Sequence, residues 1–172
     1  PLSPAETVEL EGALRKKLPE PFVFAYNHRA DGAPGSKARW HQPAPEGLAE
    51  LPCREGGVRF LIRARRRGLD PWLFLDLRAG RRALREAAEG MSVLNLFAYT
   101  CAAGVCAAAA GAGPVWNVDF ASSSLEVGRR NALLNGIPGE RFLTIAEDCI
   151  PVMRQLAGLT AGGRRRQRNK FQ

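Results

Sequence analysis

The sequence predicts an α/β fold, a doubly wound, Rossmann-like parallel sheet, and three observations predict it. Residues 91–119, MSVLNLFAYTCAAGVCAAAAGAGPVWNVD, pass from a short apolar run through a small-residue turn into an alanine-rich stretch and a second apolar run that ends in a carboxylate. Strand, helix and strand in that order form the repeating unit of such sheets. A further helical stretch and a third apolar run, residues 141–146, extend the alternation. A chain of 172 residues with 45% hydrophobic and 24% charged residues is long enough, and apolar enough, for one ordinary domain with a core.

The elements follow in chain order. Ser3, Pro4 and Glu6 have capping-box spacing with proline at the first helical position, and Val8, Leu10, Leu14 and Leu18 continue a short helix that stops before Pro19. Phe22, Val23, Phe24 and Tyr26 read as one strand, and DGAPGSKARWHQPAPEG at 31–47 reads as a loop. Residues 58–63 and 72–77 flank RARRRGLDP and read as a β-hairpin whose tip carries arginines. Residues 80–88 look helical, and Gly90 ends that helix before the first sheet strand. Four segments result: an N-terminal helix and irregular region (1–54), the hairpin (55–79), the half-sheet (80–160) and a basic tail (161–172).

Within the half-sheet, Val93, Leu94, Leu96 and Phe97 suit a strand covered on both faces. Residues 102–110 combine helix propensity with a thin surface that can lie close to a sheet, and Gly111 and Gly113 end the helix. Asp119 closes the second strand at the sheet edge where such folds bind ligands. Ser123 and Glu126 have capping-box spacing for the next helix, which Asn135 and Gly136 close. Glu147 and Asp148 follow the third strand, and Pro151 opens a last helix expected to bury Val152, Met153 and Leu156.

A dinucleotide site wants GxGxxG so that the backbone can approach a pyrophosphate, and no such pattern occurs. The turn offers Asn95, Phe97, Tyr99 and Thr100, with Gly104 as its one glycine. That combination favours a ligand without phosphates, such as S-adenosylmethionine. Asp119 is placed either to accept ribose hydroxyls or to cap the following helix. Phe97 and Tyr99 offer aromatic faces suited to a cation, or else pack in the core.

LDLR at 75–78, VLNLFAYT at 93–100, VDF at 118–120 and RRNALLNG at 129–136 fall in an order that resembles the class I S-adenosylmethionine-dependent methyltransferases related to bacterial 23S ribosomal RNA methyltransferases. In that family a hairpin with a motif like GFFLDQR precedes the catalytic domain, and GLDPWLFLDLR at 68–78 stands in its position. The resemblance implies a class I methyltransferase fold, S-adenosylmethionine as cofactor and a ribosomal RNA substrate, and a cytoplasmic location is the expectation from the lack of a membrane run and of a signal-peptide pattern. The resemblance also implies that Asp76 and Arg78 hold the methionine end of the cofactor, the alternative being an intramolecular salt bridge. Asn95, Phe97, Tyr99 and Thr100 would line the sulfonium and ribose, with Asp119 and Ser122 beside them. Asp148 would contact the adenine amino group or, alternatively, cap the last helix.

Two departures stand out. The family's TGG is Thr100, Cys101, Ala102 here, which reduces backbone freedom in the loop. The DPP-like or NPP-like motif expected after a fourth strand is not reached before Phe171 and Gln172, so the sequence reads as a fold truncated after its third strand. The expectation is cofactor contacts without a complete active site, with no catalytic residue assigned and weak or absent turnover.

The net charge of +8 and a pI near 10.0 point to an acidic partner, and RNA is the natural candidate. Arg63, Arg65, Arg66 and Arg67 at the hairpin tip are the candidate phosphate contacts, unless the chain is simply basic throughout. Arg164, Arg165, Arg166, Arg168 and Lys170 form a second cluster in the tail. Cys53, Cys101, Cys106 and Cys149 show no metal-ligand spacing and read as reduced, apolar thiols. His28 and His41 read as surface or structural residues. No apolar run is long enough for a membrane span, and no signal-peptide pattern opens the chain. Two rivals remain: a noncatalytic RNA-binding module on an α/β scaffold, and a nicotinamide-dependent oxidoreductase, which would need the glycine fingerprint.

Overall fold

The computed structural model describes residues 2–19, 24, 26–28, 39–41, 50–63 and 71–159. Helix α1 (Pro4–Arg15) starts at Ser3, whose hydroxyl accepts the Glu6 amide while the Glu6 carboxylate accepts the Ser3 amide. Two amide donors at the helix start are thereby satisfied reciprocally. Strands β1 (Tyr26–His28) and β2 (Arg39–His41) pair antiparallel, with Tyr26 opposite His41. The stretch expected as a loop at 31–47 thus contributes a strand, and of the strand expected from Phe22 to Tyr26, Tyr26 lies in β1 while Phe24 does not. Phe22 and Val23 lie outside the described residues.

The hairpin is displaced from its expected position. Strand β3 (Glu50–Glu55) turns through Gly56 and Gly57 into β4 (Val58–Arg63), and the two form their own sheet. Both glycines have positive φ, 55° and 87°, the conformation that a type I′ two-residue hairpin turn requires. The partner expected at 72–77 is no strand: it bends, then makes a 3-10 turn at Leu75–Leu77. Trp72 there has a positive φ of 70°, which no extended strand tolerates. Arg65, Arg66 and Arg67 lie outside the described residues, as does the basic tail.

Two compact units divide the chain, Pro1–Leu51 with Ile62–Pro71, and Pro52–Leu61 with Trp72–Gln172. The second holds helix α2 (Arg78–Ala87) and a three-stranded parallel sheet of order β5 (Val93–Leu96), β6 (Val115–Asp119), β7 (Phe142–Ala146). Helix α3 (Ala102–Ala109) connects β5 to β6, and α4 (Ser122–Leu134) connects β6 to β7. Helix α5 (Cys149–Leu156) follows β7.

The sheet is covered on both sides, as the apolar strands require. Leu96, Val118 and Ile145 stand in register across the three strands and pack on Cys149 and Val152 of α5. Fully burying side chains of this size is worth about 1.5–3 kcal/mol each. Alternation sends Asn117 to the opposite face, against α3. A Cβ at Gly104 would lie 2.0 Å from the Asn117 amide oxygen, so only glycine lets α3 approach this closely. Asn117 is fully buried, yet its amide accepts from Asn95 at 2.9 Å and donates to the Leu143 carbonyl at 3.2 Å.

Two smaller expectations differ. Ser123 and Glu126 do not cap α4, whose N-cap position is Ala121, with no side-chain cap. Leu156 is 37% exposed, while Val152 carries the buried face of α5.

Candidate functional site

The loop between β5 and α3 is held in an improbable shape. Phe97, Tyr99 and Cys101 alternate in the left-handed region at φ 52°, 49° and 58°. Each such residue costs about 1–2 kcal/mol when it is not glycine. Strain of this kind persists only where surrounding bonds over-determine the backbone. Here the Ala98 amide bonds the Val118 carbonyl at 3.0 Å, and the Tyr99 amide bonds Asp119 Oδ2 at 2.9 Å. The Phe97 amide donates to the Cys149 sulfur at 3.3 Å, the Thr100 hydroxyl to the Trp72 carbonyl, and Asn131 Nδ2 to the Thr100 carbonyl at 3.2 Å.

Asn131 also ties this loop to the hairpin. Its Oδ1 accepts the Leu61 amide at 2.8 Å, and one turn later Asn135 accepts the Arg59 amide at 2.9 Å and donates to the Arg59 carbonyl at 2.7 Å. Residues four apart share a helix face and residues two apart share a strand edge. The two asparagines of RRNALLNG therefore hold β4 by its backbone, a structural role that their sequence position alone does not reveal.

A cavity of about 360 Å³ opens at the carboxyl end of β5. Asn95, Phe97, Tyr99 and Thr100 line one side of it. Trp72, Phe74 and Leu77 line another, with Gly80, Arg81 and Leu84 of α2 behind them. The Phe74 and Tyr99 rings lie 5.6 Å apart at 53°. Trp72, Phe74 and Leu77 are legible as apolar residues, and that same apolarity is what makes 72–77 resemble a strand.

Arg81 orders this wall. It is 3% exposed, and its Nε and Nη2 grip both oxygens of Glu55 at 2.7 and 2.8 Å while Nη1 donates to the Phe74 carbonyl at 2.8 Å. The hydrogen bonds from Arg81 hold the Glu55 carboxyl below its ordinary value, and Glu55 in turn raises that of Arg81.

The other candidates take separate places. Asp119 is 7% exposed, and its second oxygen accepts the Ala121 amide at 2.8 Å. Each carboxylate oxygen keeps a further lone pair beyond these bonds. Ser122 begins α4 and is exposed beside it. Asp148 is exposed and caps α5, accepting the Ile150 amide at 2.8 Å. Asp76 is exposed, and neither it nor Arg78 lines the cavity. Arg78 instead donates to Glu55 at 3.1 Å. Arg63, half-buried at the end of β4, belongs to the first unit, where its amide bonds the Pro71 carbonyl at 3.4 Å.

The chemistry of the cavity suits an uncharged or cationic nucleoside. Aromatic rings face it, and the Cβ atoms of Ala102 and Ala103 occupy the turn where a pyrophosphate site needs glycine. The cysteines are unbridged, and no cluster of His, Cys, Asp or Glu suited to a metal occurs among the described residues. Burial pushes the Cys101 thiol up to about 12 and the Cys106 thiol to about 11, so neither is a thiolate nucleophile at neutral pH. No helix among the described residues is long and apolar enough to cross a membrane.

Comparison with known proteins points the same way. A family model described as S-adenosylmethionine-dependent methyltransferase matches residues 21–158. The chain is 36% identical over 113 residues to the ribosomal RNA large subunit methyltransferase K/L of Shewanella frigidimarina, covering 66% of this chain and 16% of that protein. It is 42% identical over 104 residues to the same-named protein of Allochromatium vinosum, covering 60% of this chain and 14% of that one. The chain thus spans a small part of the length of these relatives. Among solved structures, the SAM-dependent methyltransferase of Agrobacterium tumefaciens superposes with a TM-score of 0.59 at 32% identity, covering 70% of this chain and 40% of that one.

Proposed function

This chain belongs to the S-adenosylmethionine-dependent methyltransferase family, and we propose that it supplies the cofactor-holding part of an RNA methyltransferase, with the cavity at the carboxyl end of β5 as the cofactor site. The observation that carries the reading is the convergence of Asn95, Phe97, Tyr99 and Thr100 on one cavity, beside a buried carboxylate at the end of the next strand. Bound S-adenosylmethionine supplies an electrophilic methyl group on a sulfonium.

The residues of this chain bind and orient. Tyr99 and Phe74 present ring faces that favour a cation by about 0.5–2 kcal/mol. Asp119 offers the free lone pairs of its carboxylate to ribose hydroxyls, and its bonds to Tyr99 and Ala121 keep it from rotating away. Ser122 and Asp148 stand at the ends of the neighbouring strands, where an adenine-side contact belongs. The Arg81–Glu55 pair fixes the wall at Phe74. Ribosomal RNA as the methyl acceptor follows the names of the relatives and the net charge of +8. A soluble enzyme acting in the cytoplasm is part of the same proposal.

Calorimetric titration of S-adenosylmethionine and S-adenosylhomocysteine into the chain, with NADH as comparison ligand, tests the cofactor site. The expected outcome is binding of both sulfur nucleosides, weakened at least tenfold by Asp119→Ala, which is about 1.4 kcal/mol. Folded protein that binds neither, or that prefers NADH, would overturn the reading. Salt-sensitive RNA binding together with no cofactor affinity would leave a noncatalytic RNA-binding module in its place.

A further inference from the structure

A second cleft, of about 340 Å³, shares Arg81 with the cofactor cavity. Its lining includes Arg54 of β3 and Arg78, Arg81, Arg82 and Arg85 of α2, against a single carboxylate, Glu55. Both Glu55 oxygens are already committed, to Arg81 and to Arg78. No carboxylate among the described residues pairs with Arg54, Arg82 or Arg85. Arg85 reaches the Gly56 carbonyl with Nη1, while its Nε is buried with no partner.

So many guanidinium groups around one carboxylate repel one another, and no ion pair among the described residues engages Arg54, Arg82 or Arg85 to relieve that repulsion. Oxyanions do: the planar donor fork of arginine matches phosphate oxygens two at a time. The arrangement also distinguishes a polymer from a single ion. Arg78, Arg82 and Arg85 recur at helical spacing on one face of α2, so neighbouring charges stand about 5–6 Å apart at Cβ. Arg54 extends the row from the hairpin strand. A track of charge is what a chain of phosphates requires, whereas one phosphate needs a single enclosed pocket.

We infer that this arginine cleft is a binding surface for the RNA phosphate backbone, distinct from the cofactor cavity. The cleft's role rests on the RNA reading above and supplies the surface by which the acceptor is held. Arg81 is common to both cavities, so the backbone-holding row and the cofactor wall are built on one helix, α2. The row positions RNA and does not read its sequence, because phosphate contacts carry no base information.

The test is fluorescence anisotropy of a labelled RNA oligonucleotide against the full 172-residue chain over a series of salt concentrations. Removing one phosphate-neutralising charge lowers the slope of log affinity against log salt by about 0.7–0.9. Arg54→Gln/Arg82→Gln/Arg85→Gln is expected to lower that slope by about 2 and to weaken binding at least tenfold in moderate salt. The charge-matched variant Arg59→Gln/Arg129→Gln/Arg154→Gln, on other exposed positions, is expected to change the slope by less than about 1. Equal weakening in the two variants, no weakening in the first, or full competition by millimolar inorganic phosphate would each overturn the assignment. Calorimetry with S-adenosylhomocysteine on the same proteins separates the two readings. Retained cofactor affinity with an unchanged salt slope removes the cleft and leaves the cofactor site standing, whereas absent cofactor affinity in the unsubstituted chain removes the cofactor site whatever the slope.

Discussion

The corner between β5 and α3 and the corner between β7 and α5 are the same kind of turn, from the carboxyl end of a parallel strand into a helix, yet they are built differently. The second is ordinary: Asp148 adopts an extended backbone and accepts one helix amide, and no positive φ occurs at 147–148. The first alternates three left-handed residues and is held from four directions, by Asp119, Cys149, Asn131 and the Trp72 carbonyl. A cap of one aspartate suffices where the chain only changes direction. A loop that must present side chains to a cavity needs bonds from elements distant in sequence, and its stability then depends on them.

That dependence is most vulnerable at Glu55, which lies far from the first corner in sequence. Glu55→Gln leaves Arg81, 3% exposed, with a buried charge and no carboxylate, and should cost about 3 kcal/mol, the low end for breaking a buried pair. Urea unfolding measures this, and a change below about 0.5 kcal/mol would show that water replaces the carboxylate freely. The pH dependence follows from the depressed Glu55 value. A carboxyl lowered by folding contributes stability above its unfolded value of 4.5 and loses that contribution as pH falls through the lower folded value. The unsubstituted chain should therefore lose stability more steeply below pH 4.5 than Glu55→Gln.

Next in size is Asn131→Ala, which orphans the buried Leu61 amide and the Thr100 carbonyl. At about 1–3 kcal/mol for an unsatisfied buried group, the loss should reach about 2 kcal/mol or more. Amide hydrogen exchange should show Leu61 and the loop at 97–101 becoming less protected together. Reduced protection at Leu61 alone would mean that the loop does not depend on α4.

The smallest effect belongs to the ordinary corner. Asp148→Ala removes one helix cap, at about 1 kcal/mol, and with it the proposed adenine-side contact, so S-adenosylhomocysteine affinity should fall a few-fold, less than for Asp119→Ala. Asp119→Ala should lower both stability and affinity, because the same carboxylate holds Tyr99 and faces the cofactor site. If Asp148→Ala weakens the cofactor as strongly as Asp119→Ala, the two corners are functionally alike.

Much of the second unit is legible without coordinates. The apolar runs at 93–96, 115–119 and 142–146 and the alanine-rich helix between the first two carry their own periodicity, and each element forms where that periodicity puts it. The hairpin is harder to place because of its composition. Glu50–Glu55 is polar and contains Pro52, so it carries no strand pattern, although Gly56–Gly57 is a usable turn signal. Segment 72–77 has the apolar character of a strand because it lines a cavity, and periodicity cannot distinguish a cavity wall from a sheet. Asn95, Phe97, Tyr99 and Thr100 are singled out by their position along the chain, while Trp72, Phe74 and Arg81 share their cavity only through the fold.

The order of strands and helices, the carboxylates at two strand ends and the lack of a glycine-rich phosphate turn are written in the chain itself, because they depend on local periodicity, caps and backbone freedom. Folding settles the rest: Asp119 is buried against a loop twenty residues earlier while Asp148 faces solvent, Asn131 and Asn135 hold a strand more than sixty residues away, and the α2 arginines gather around one carboxylate. Those outcomes depend on which distant groups meet, and a buried donor, acceptor or charge takes its role from the partner that folding brings to it.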